Sequence, residues 1–231
     1  MRSLTSSDVI ALTTIFTIQG SIHAFSRMAG PSTTQFVTNK MCPFAQKAWI
    51  ALEVVNAPYE LKEISLYGVN GKPDWFLKMN PAGTVPVLSC NGGIVVVPDS
   101  ELILNYIADG AVEGGSQLQS PSSEEAVKKW RKDISDRVIP IGKEAVLGGS
   151  RDKLFSILQE VDKNVQLPYL CGDQITTADC AAFPFLWRLD QEFGPLTQGD
   201  HGCGNLRSWL DQCDSTSSFK KTVQTNWWWW W

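Results

Sequence analysis

Gln35-Phe36-Val37-Thr38-Asn39-Lys40-Met41-Cys42-Pro43-Phe44-Ala45-Gln46-Lys47-Ala48-Trp49-Ile50-Ala51-Leu52-Glu53 changes character halfway along. Its first four residues have the β-branched and aromatic content of a strand, and the run from Lys47 to Glu53 reads as a helix. Cys42 falls at the switch. Pro43 suits the first helical position, where its fixed φ is already right and its missing N–H has no intrahelical partner to lose. Cys42 is thereby placed at or beside the helix N-cap, where free N–H groups and the positive end of the helix dipole favour thiolate over thiol. Lys40 adds positive charge two residues upstream. Where a C-x-x-C motif has its second sulfur this chain has Ala45, so a disulfide formed at Cys42 needs a thiol from outside to resolve it. The competing interpretation is a buried cysteine before a helix, the usual surroundings of a free Cys.

Working outward, Asn56-Ala57-Pro58 ends the helix and Tyr59–Ile64 reads as a second strand. Gly68–Gly71 is loop, and Pro73–Met79 is a short helix stopped by Asn80-Pro81. In Thr84-Val85-Pro86-Val87-Leu88 a proline interrupts an apolar strand-like run, which confines it to an edge, a bulge or a special turn. A cis Val85-Pro86 bond turns the Val85 backbone outward at an exposed edge, where its N–H and C=O can pair with an extended peptide. An edge strand with a trans proline is the plainer alternative. Asn91-Gly92-Gly93 then reads as a hairpin turn before Ile94–Val97. Pro98-Asp99-Ser100-Glu101 opens another helix, with Leu102, Ile103, Tyr106 and Ile107 on its apolar side. The N–H groups of such a helix start can hold a carboxylate and the Asp99 side chain an ammonium, or the segment is simply a cap.

Cys-Pro-Phe-Ala-Gln at 42–46 resembles the active-site motif of the cysteine-type cytosolic glutathione transferases, namely the omega and lambda classes and the plant-type dehydroascorbate reductases. The resemblance implies an α/β plus all-α architecture, with an N-terminal thioredoxin-like domain followed by an all-helical C-terminal domain. It implies a catalytic cysteine at Cys42, with glutathione as co-substrate held by Lys72, Val85, Asp99 and Ser100; Phe44 and Pro86 are further candidates. The run from Lys72 to Val87 and Pro98-Asp99-Ser100 look most like the dehydroascorbate reductases. Met41 departs from the aspartate those reductases carry before the cysteine, and Cys42–Trp49 is closer to the lambda class. The activity implied is glutathione-dependent thiol reduction, of dehydroascorbate or of a mixed disulfide. Conjugation of glutathione to electrophiles, or a non-enzymatic ligand-binding protein of the same fold, are the alternatives.

The second half of the chain reads as helices. Val112–Pro121 is a linker by composition, and Ser122-Ser123-Glu124-Glu125 offers a capping box before Val127, Trp130, Ile134, Val138 and Ile141. Pro140 is expected to kink or end that helix, and Pro184 to bend a later one. Leu154, Phe155, Leu158, Val161 and Val165 mark a second helix; Thr176-Thr177-Ala178-Asp179 caps a third. Leu206, Trp209 and Leu210 suggest a last full helix, with Phe219-Lys220-Lys221 in a final turn. Trp130, Arg131, Trp187 and Arg188 can line a cleft between the two units or belong to the core. The expected division is 1–33 leader or extension, 34–110 thioredoxin-like domain, 111–122 linker, 123–222 helical domain and 223–231 Trp-rich tail.

With 231 residues the chain has room for two units with cores of their own. A net charge of −4 argues against a polyanion-binding surface, and hence against nucleic acid as a partner. Six cysteines without paired spacing and two histidines give no metal-ligand pattern. Arg2, the apolar run Val9–Ile18 and Ser21-Ile22-His23-Ala24 have signal-peptide organisation, in a run too short to span a bilayer. Phe25–Asn39 carries Arg27, several Ser and Thr and no acid, as transit peptides do. Together they resemble the bipartite leader of secondary plastids, so a plastid destination is expected, with a cytosolic product if translation starts at Met28. The tail Trp227–Trp231 has no assignable motif, a membrane role is not expected of it, and a monomer is preferred over a homodimer.

Overall fold

The computed structural model describes residues 34–66, 71–120, 123–194 and 202–224; the leader and Trp227–Trp231 lie outside them. The chain starts with β1 (Gln35–Thr38), α1 (Pro43–Val54), β2 (Glu60–Glu63), α2 (Asp74–Met79), β3 (Val87–Cys90), β4 (Val95–Pro98) and α3 (Ser100–Tyr106). The four strands form one sheet in the order β2-β1-β3-β4, with β1 and β2 parallel and the other two pairings antiparallel. Successive residues point to opposite faces. Phe36 and Leu88 accordingly join Trp49, Ile50, Leu52, Ile103 and Leu104 beneath α1 and α3, whereas Val37 and Val87 pack with Ile64 and Phe76 on the α2 side.

The register decides where the chain's special residues meet. Val37 lies opposite Val87, and Val87 opposite Pro98. The segment leaving β1, the segment entering β3 and the segment leaving β4 therefore emerge at the same end of the sheet. Asn39–Cys42, Val85-Pro86 and Asp99-Ser100 occupy those three segments. The hairpin predicted at Asn91-Gly92-Gly93 is present as a 3-10 turn, with all three residues at positive φ, which glycine adopts without steric cost.

α3 ends in a π-type turn (Ile107–Ala111), and the linker folds back on it. A Cβ on Gly115 would lie 1.8 Å from the Ile107 carbonyl oxygen, so only glycine permits this approach. The helical unit comprises α4 (Glu124–Asp133), α5 (Ile139–Val146), α6 (Arg151–Asp162), α7 (Thr177–Phe193), α8 (Gly204–Ser215) and α9 (Ser217–Lys220). Pro140, expected to kink or end the helix, follows a change in its winding. A π-type turn at Ile134–Val138 carries the chain from α4 into α5 and leaves the proline at the start of α5, where its missing N–H matters least. The capping box expected at 122–125 also differs: Ser123 is the N-cap of α4, but its hydroxyl donates to the Cys171 carbonyl.

The predicted cap at Thr176 and Asp179 is a full capping box. Asp179 is fully buried and accepts hydrogen bonds from the N–H of Leu170 and Thr176 (both 2.8 Å) and from Trp209 Nε1 (2.9 Å). A carboxylate so enclosed persists only because its lone pairs are used, and it ties α7 to α8. One apolar cluster runs from Phe36 under the sheet to Phe219 in α9, so the two units share a continuous core.

Candidate active site

The loop between β1 and α1 is shaped by Asn39. Its Oδ1 accepts from Met41 N–H (3.0 Å) and its Nδ2 donates to the Ile64 carbonyl (2.9 Å), which closes an Asx turn and pins it to the end of β2. Cys42 N–H donates back to the Asn39 carbonyl (3.0 Å), and Cys42 is left as the extended N-cap of α1 with Pro43 in the first turn. This is the position the sequence predicts.

The acidity of the thiol differs from that expectation. Cys42 is only 7% exposed, and burial pushes its pKa above the ordinary thiol value. The N–H groups of Ala45 and Phe44, and behind them the charges of Arg188 and Lys47, pull it back without offsetting the burial. Lys40 is not among those charges; it pairs with Glu63 at 3.2 Å. The helix-end donors are therefore in place, but they act on a sulfur that neighbouring side chains have largely removed from water.

Across the sheet end, the Val85-Pro86 bond is cis. Val85 is half-buried and Pro86 buried, and neither the N–H nor the C=O of Val85 bonds to any described residue. Asn80 builds this approach: its side chain donates to the Thr84 carbonyl (2.8 Å), and its own carbonyl accepts from Gly83 N–H (2.8 Å). Lys72 reaches the same loop, since a Cβ on Gly83 would lie 3.2 Å from Lys72 Cδ. Asp99 is held at φ +75, and its Oδ1 caps α3 by accepting from Glu101 N–H (2.8 Å) and Leu102 N–H (3.2 Å). Oδ2 of this exposed side chain has no partner among the described residues. Ser100 is buried beneath it. Phe44 is half-buried, with its ring edge-on to Phe185 at 5.1 Å.

Sequence reasoning named Arg131 and Arg188 only as candidates to line a cleft or belong to the core, and did not single out Lys47, Glu101, Gln46 or Thr222, which with them hold α1 in place. Lys47, 2% exposed, donates to Glu101 Oε1 (2.8 Å), and Glu101 is shared with Arg131. Burial alone would raise the Glu101 pKa, but Lys47 and Arg131 outweigh it and hold the carboxyl below its usual range. Arg188, also 2% exposed, donates to Gln46 Oε1 (2.6 Å), and Gln46 Nε2 donates to Thr222 Oγ1 (3.1 Å). Trp130 and Trp187 are buried in the core. A cavity of about 430 Å³ lined by Asn105, Asp109, Gln119, Lys128 and Arg131 lies between α3 and α4; of the cleft candidates it contains Arg131, and it contains none of the residues predicted to hold glutathione. Among the described residues, no group of three or more His, Cys, Asp and Glu side chains is arranged to hold a metal ion.

With this geometry in hand, comparisons place the chain among known proteins. Residues 41–109 match the family model described as glutathione S-transferase, N-terminal domain, and residues 125–212 the model for its C-terminal domain. A rice (Oryza sativa subsp. japonica) protein named probable glutathione S-transferase DHAR1, cytosolic, is 32% identical over 188 residues, which is 78% of this chain and 83% of that one. Glutathione S-transferase omega-1 of Sus scrofa is 29% identical over 161 residues, 65% of each chain. The crystal structure of glutathione transferase Omega 3C from Trametes versicolor superposes with a TM-score of 0.72 over 89% of this chain and 95% of that one; at 20% identity this is a likeness of fold.

Proposed function

We propose, for a chain that belongs to the glutathione S-transferase family, that Cys42 is the nucleophile of a glutathione-dependent thiol reductase whose oxidised substrate is dehydroascorbate or a glutathione mixed disulfide. The observation that carries this reading is the meeting, at one end of the sheet, of a cysteine at a helix N-cap, a Val85 backbone without a partner among the described residues, beside Pro86, and a helix start bearing Asp99. A tripeptide laid along Val85 gains two backbone hydrogen bonds of the β-augmentation kind. Its γ-glutamyl ammonium meets Asp99 Oδ2, its γ-glutamyl carboxylate meets the amides at Ser100, and its glycyl carboxylate meets Lys72.

Disulfide reduction then balances as two exchanges. The Cys42 thiolate attacks the glutathione sulfur of the oxidised substrate, the S–S bond breaks, and the substrate leaves as a thiolate that takes up a proton. A second glutathione thiolate attacks the Cys42–glutathione disulfide, releasing oxidised glutathione and restoring the Cys42 thiolate. With dehydroascorbate the Cys42 thiolate adds to a carbonyl carbon; a first glutathione thiolate then attacks the Cys42 sulfur, the C–S bond breaks and ascorbate leaves with the electron pair and takes up protons, and a second glutathione resolves the Cys42–glutathione disulfide as above. Ala45 offers no internal thiol for the second step, so glutathione supplies it. Because the thiol is pushed up by burial, turnover should climb with pH from 7 toward 9 as the thiolate fraction grows.

The burial of Cys42 is also the observation that favours a second reading, a conjugating or ligand-carrying protein in which this sulfur is structural. Replacing it decides between them. C42S is expected to lose dehydroascorbate and mixed-disulfide reduction by about a thousandfold or more. Undiminished reduction in C42S contradicts the proposal, and conjugation of chlorodinitrobenzene that survives in C42S supports the second reading.

A further inference from the structure

We infer that Arg188 is a positioning residue for the nucleophile: a guanidinium sent from the helical unit to act as the resident counter-charge of the Cys42 thiolate. The inference rests on the reading of Cys42 as the attacking group. Arg188 projects from α7 one turn beyond Pro184 and is 2% exposed. Its Nη1 donates to Gln46 Oε1 (2.6 Å) and to the Pro184 carbonyl (2.7 Å), and its Nη2 donates to the Met41 carbonyl (3.2 Å), the peptide oxygen immediately before Cys42. All three acceptors are neutral. Nε is buried with no partner among the described residues.

A buried cation is ordinarily matched by a carboxylate, because neutral acceptors return only part of what leaving water costs it. No described carboxylate forms an ion pair with Arg188, and the ionisable group that acts on it is Cys42. Burial outweighs the upward pull of the neighbouring sulfur and brings the guanidinium down to about 10, which leaves it charged at neutral pH. The remaining charges around α1 are engaged elsewhere. Lys40 on the preceding loop is paired with Glu63, Lys47 on α1 itself and Arg131 from α4 are paired with Glu101 of α3, and Glu53 at the far end is paired with Lys221. Loss of the Cys42 proton to solvent therefore turns an unmatched buried charge into a matched one. The same fork holds the Met41 peptide and Gln46, so the counter-charge and the orientation of the N-cap are set by one side chain.

The test is the pH dependence of Cys42 alkylation by iodoacetamide in the full-length protein, followed by mass spectrometry in wild type, R188Q and R188K, with thermal unfolding of each variant as the check on folding. R188Q is expected to move the inflection up by about one unit. That shift lowers thiolate about tenfold at a fixed pH below it, and higher nucleophilicity returns about threefold, for a net loss of roughly threefold in rate. R188K, which keeps the charge, should move it by less than half as much. An inflection in folded R188Q that matches wild type overturns the role of Arg188, as does a shift in R188K equal to that in R188Q. If R188Q does not fold, the wild type carries the test through the ratio of its rates with anionic iodoacetate and neutral iodoacetamide, since a resident cation favours the anion. A ratio above that of glutathione's own thiol supports the inference, and a ratio at or below it overturns it. Reduction that persists in C42S removes the nucleophile itself, whereas an unmoved R188Q profile with reduction lost in C42S removes only the part given to Arg188.

Discussion

The two flanks of α1 each bury a cation, and they treat it differently. Toward α3, Lys47 is neutralised by Glu101, which Arg131 also holds, and its ammonium lies over the rings of Phe44 and Phe185 at 5.5 and 5.2 Å. Toward α7, Arg188 is given, among the described residues, only neutral oxygens and the neighbourhood of a thiol. The first arrangement is what a fold needs to dock one helix on another. The second is costly for a fold and useful to a nucleophile, because a charge already cancelled by a carboxylate has little left to offer a sulfur. Both flanks are further closed by the segment that follows α9, where Thr222 receives the Gln46 amide and Lys221 pairs with Glu53 at 2.6 Å.

Substitutions that move charge from one flank to the other should break the comparison in opposite directions. The largest effect on stability is expected from E101Q, which leaves Lys47 buried without its partner. Because Glu101 is partly exposed, about 2–3 kcal/mol is expected, measured as a lower urea midpoint. In the same variant the freed Lys47 charge should draw the Cys42 alkylation inflection downward, the reverse of R188Q. Equal and same-signed shifts in the two variants would erase the distinction between the flanks.

Acid should act on the Glu101 flank. The pKa of Glu101 is lowered in the fold, so its contribution is present above the unfolded value near 4.5 and is lost as pH falls through the folded value. Wild type should therefore lose stability more steeply below about pH 4.5 than E101Q does, and parallel pH profiles would contradict the assignment. The smallest effect is expected from D99A, which removes the α3 cap and about 1 kcal/mol of stability. It should raise the KM for glutathione while leaving the alkylation profile of unliganded Cys42 where it is. A shifted profile would mean that Asp99 acts on the sulfur and not on the tripeptide.

What was legible in the sequence is what short-range chemistry fixes. Pro43 after Cys42 sets a helix start, Pro86 in an apolar run is confined to an edge, a bulge or a special turn, Asn91-Gly92-Gly93 makes a hairpin, and Thr176 with Asp179 closes a cap; each depends on residues a few positions apart. What was not legible depends on distance along the chain. Gln46 meets Arg188 across 142 positions and Thr222 across 176, and Lys47 meets Glu101 across 54. No periodicity encodes such meetings. The acidity of Cys42 differs from the local reading: its donors could be read from Pro43 and the helix behind it, but the extent of its burial could not. Lys40 was close in sequence yet is claimed by Glu63, and Pro140 was absorbed by a π-type turn that no local signal announces.

Cys42 as the sulfur that carries glutathione is tested most directly by exposing the full-length reduced protein to oxidised glutathione and mapping adducts by mass spectrometry. One glutathionyl group is expected, on Cys42, removable by reduced glutathione and missing from C42S, while the five other buried cysteines stay free. An unmodified Cys42, or the same adduct on another cysteine in wild type and C42S alike, would contradict it.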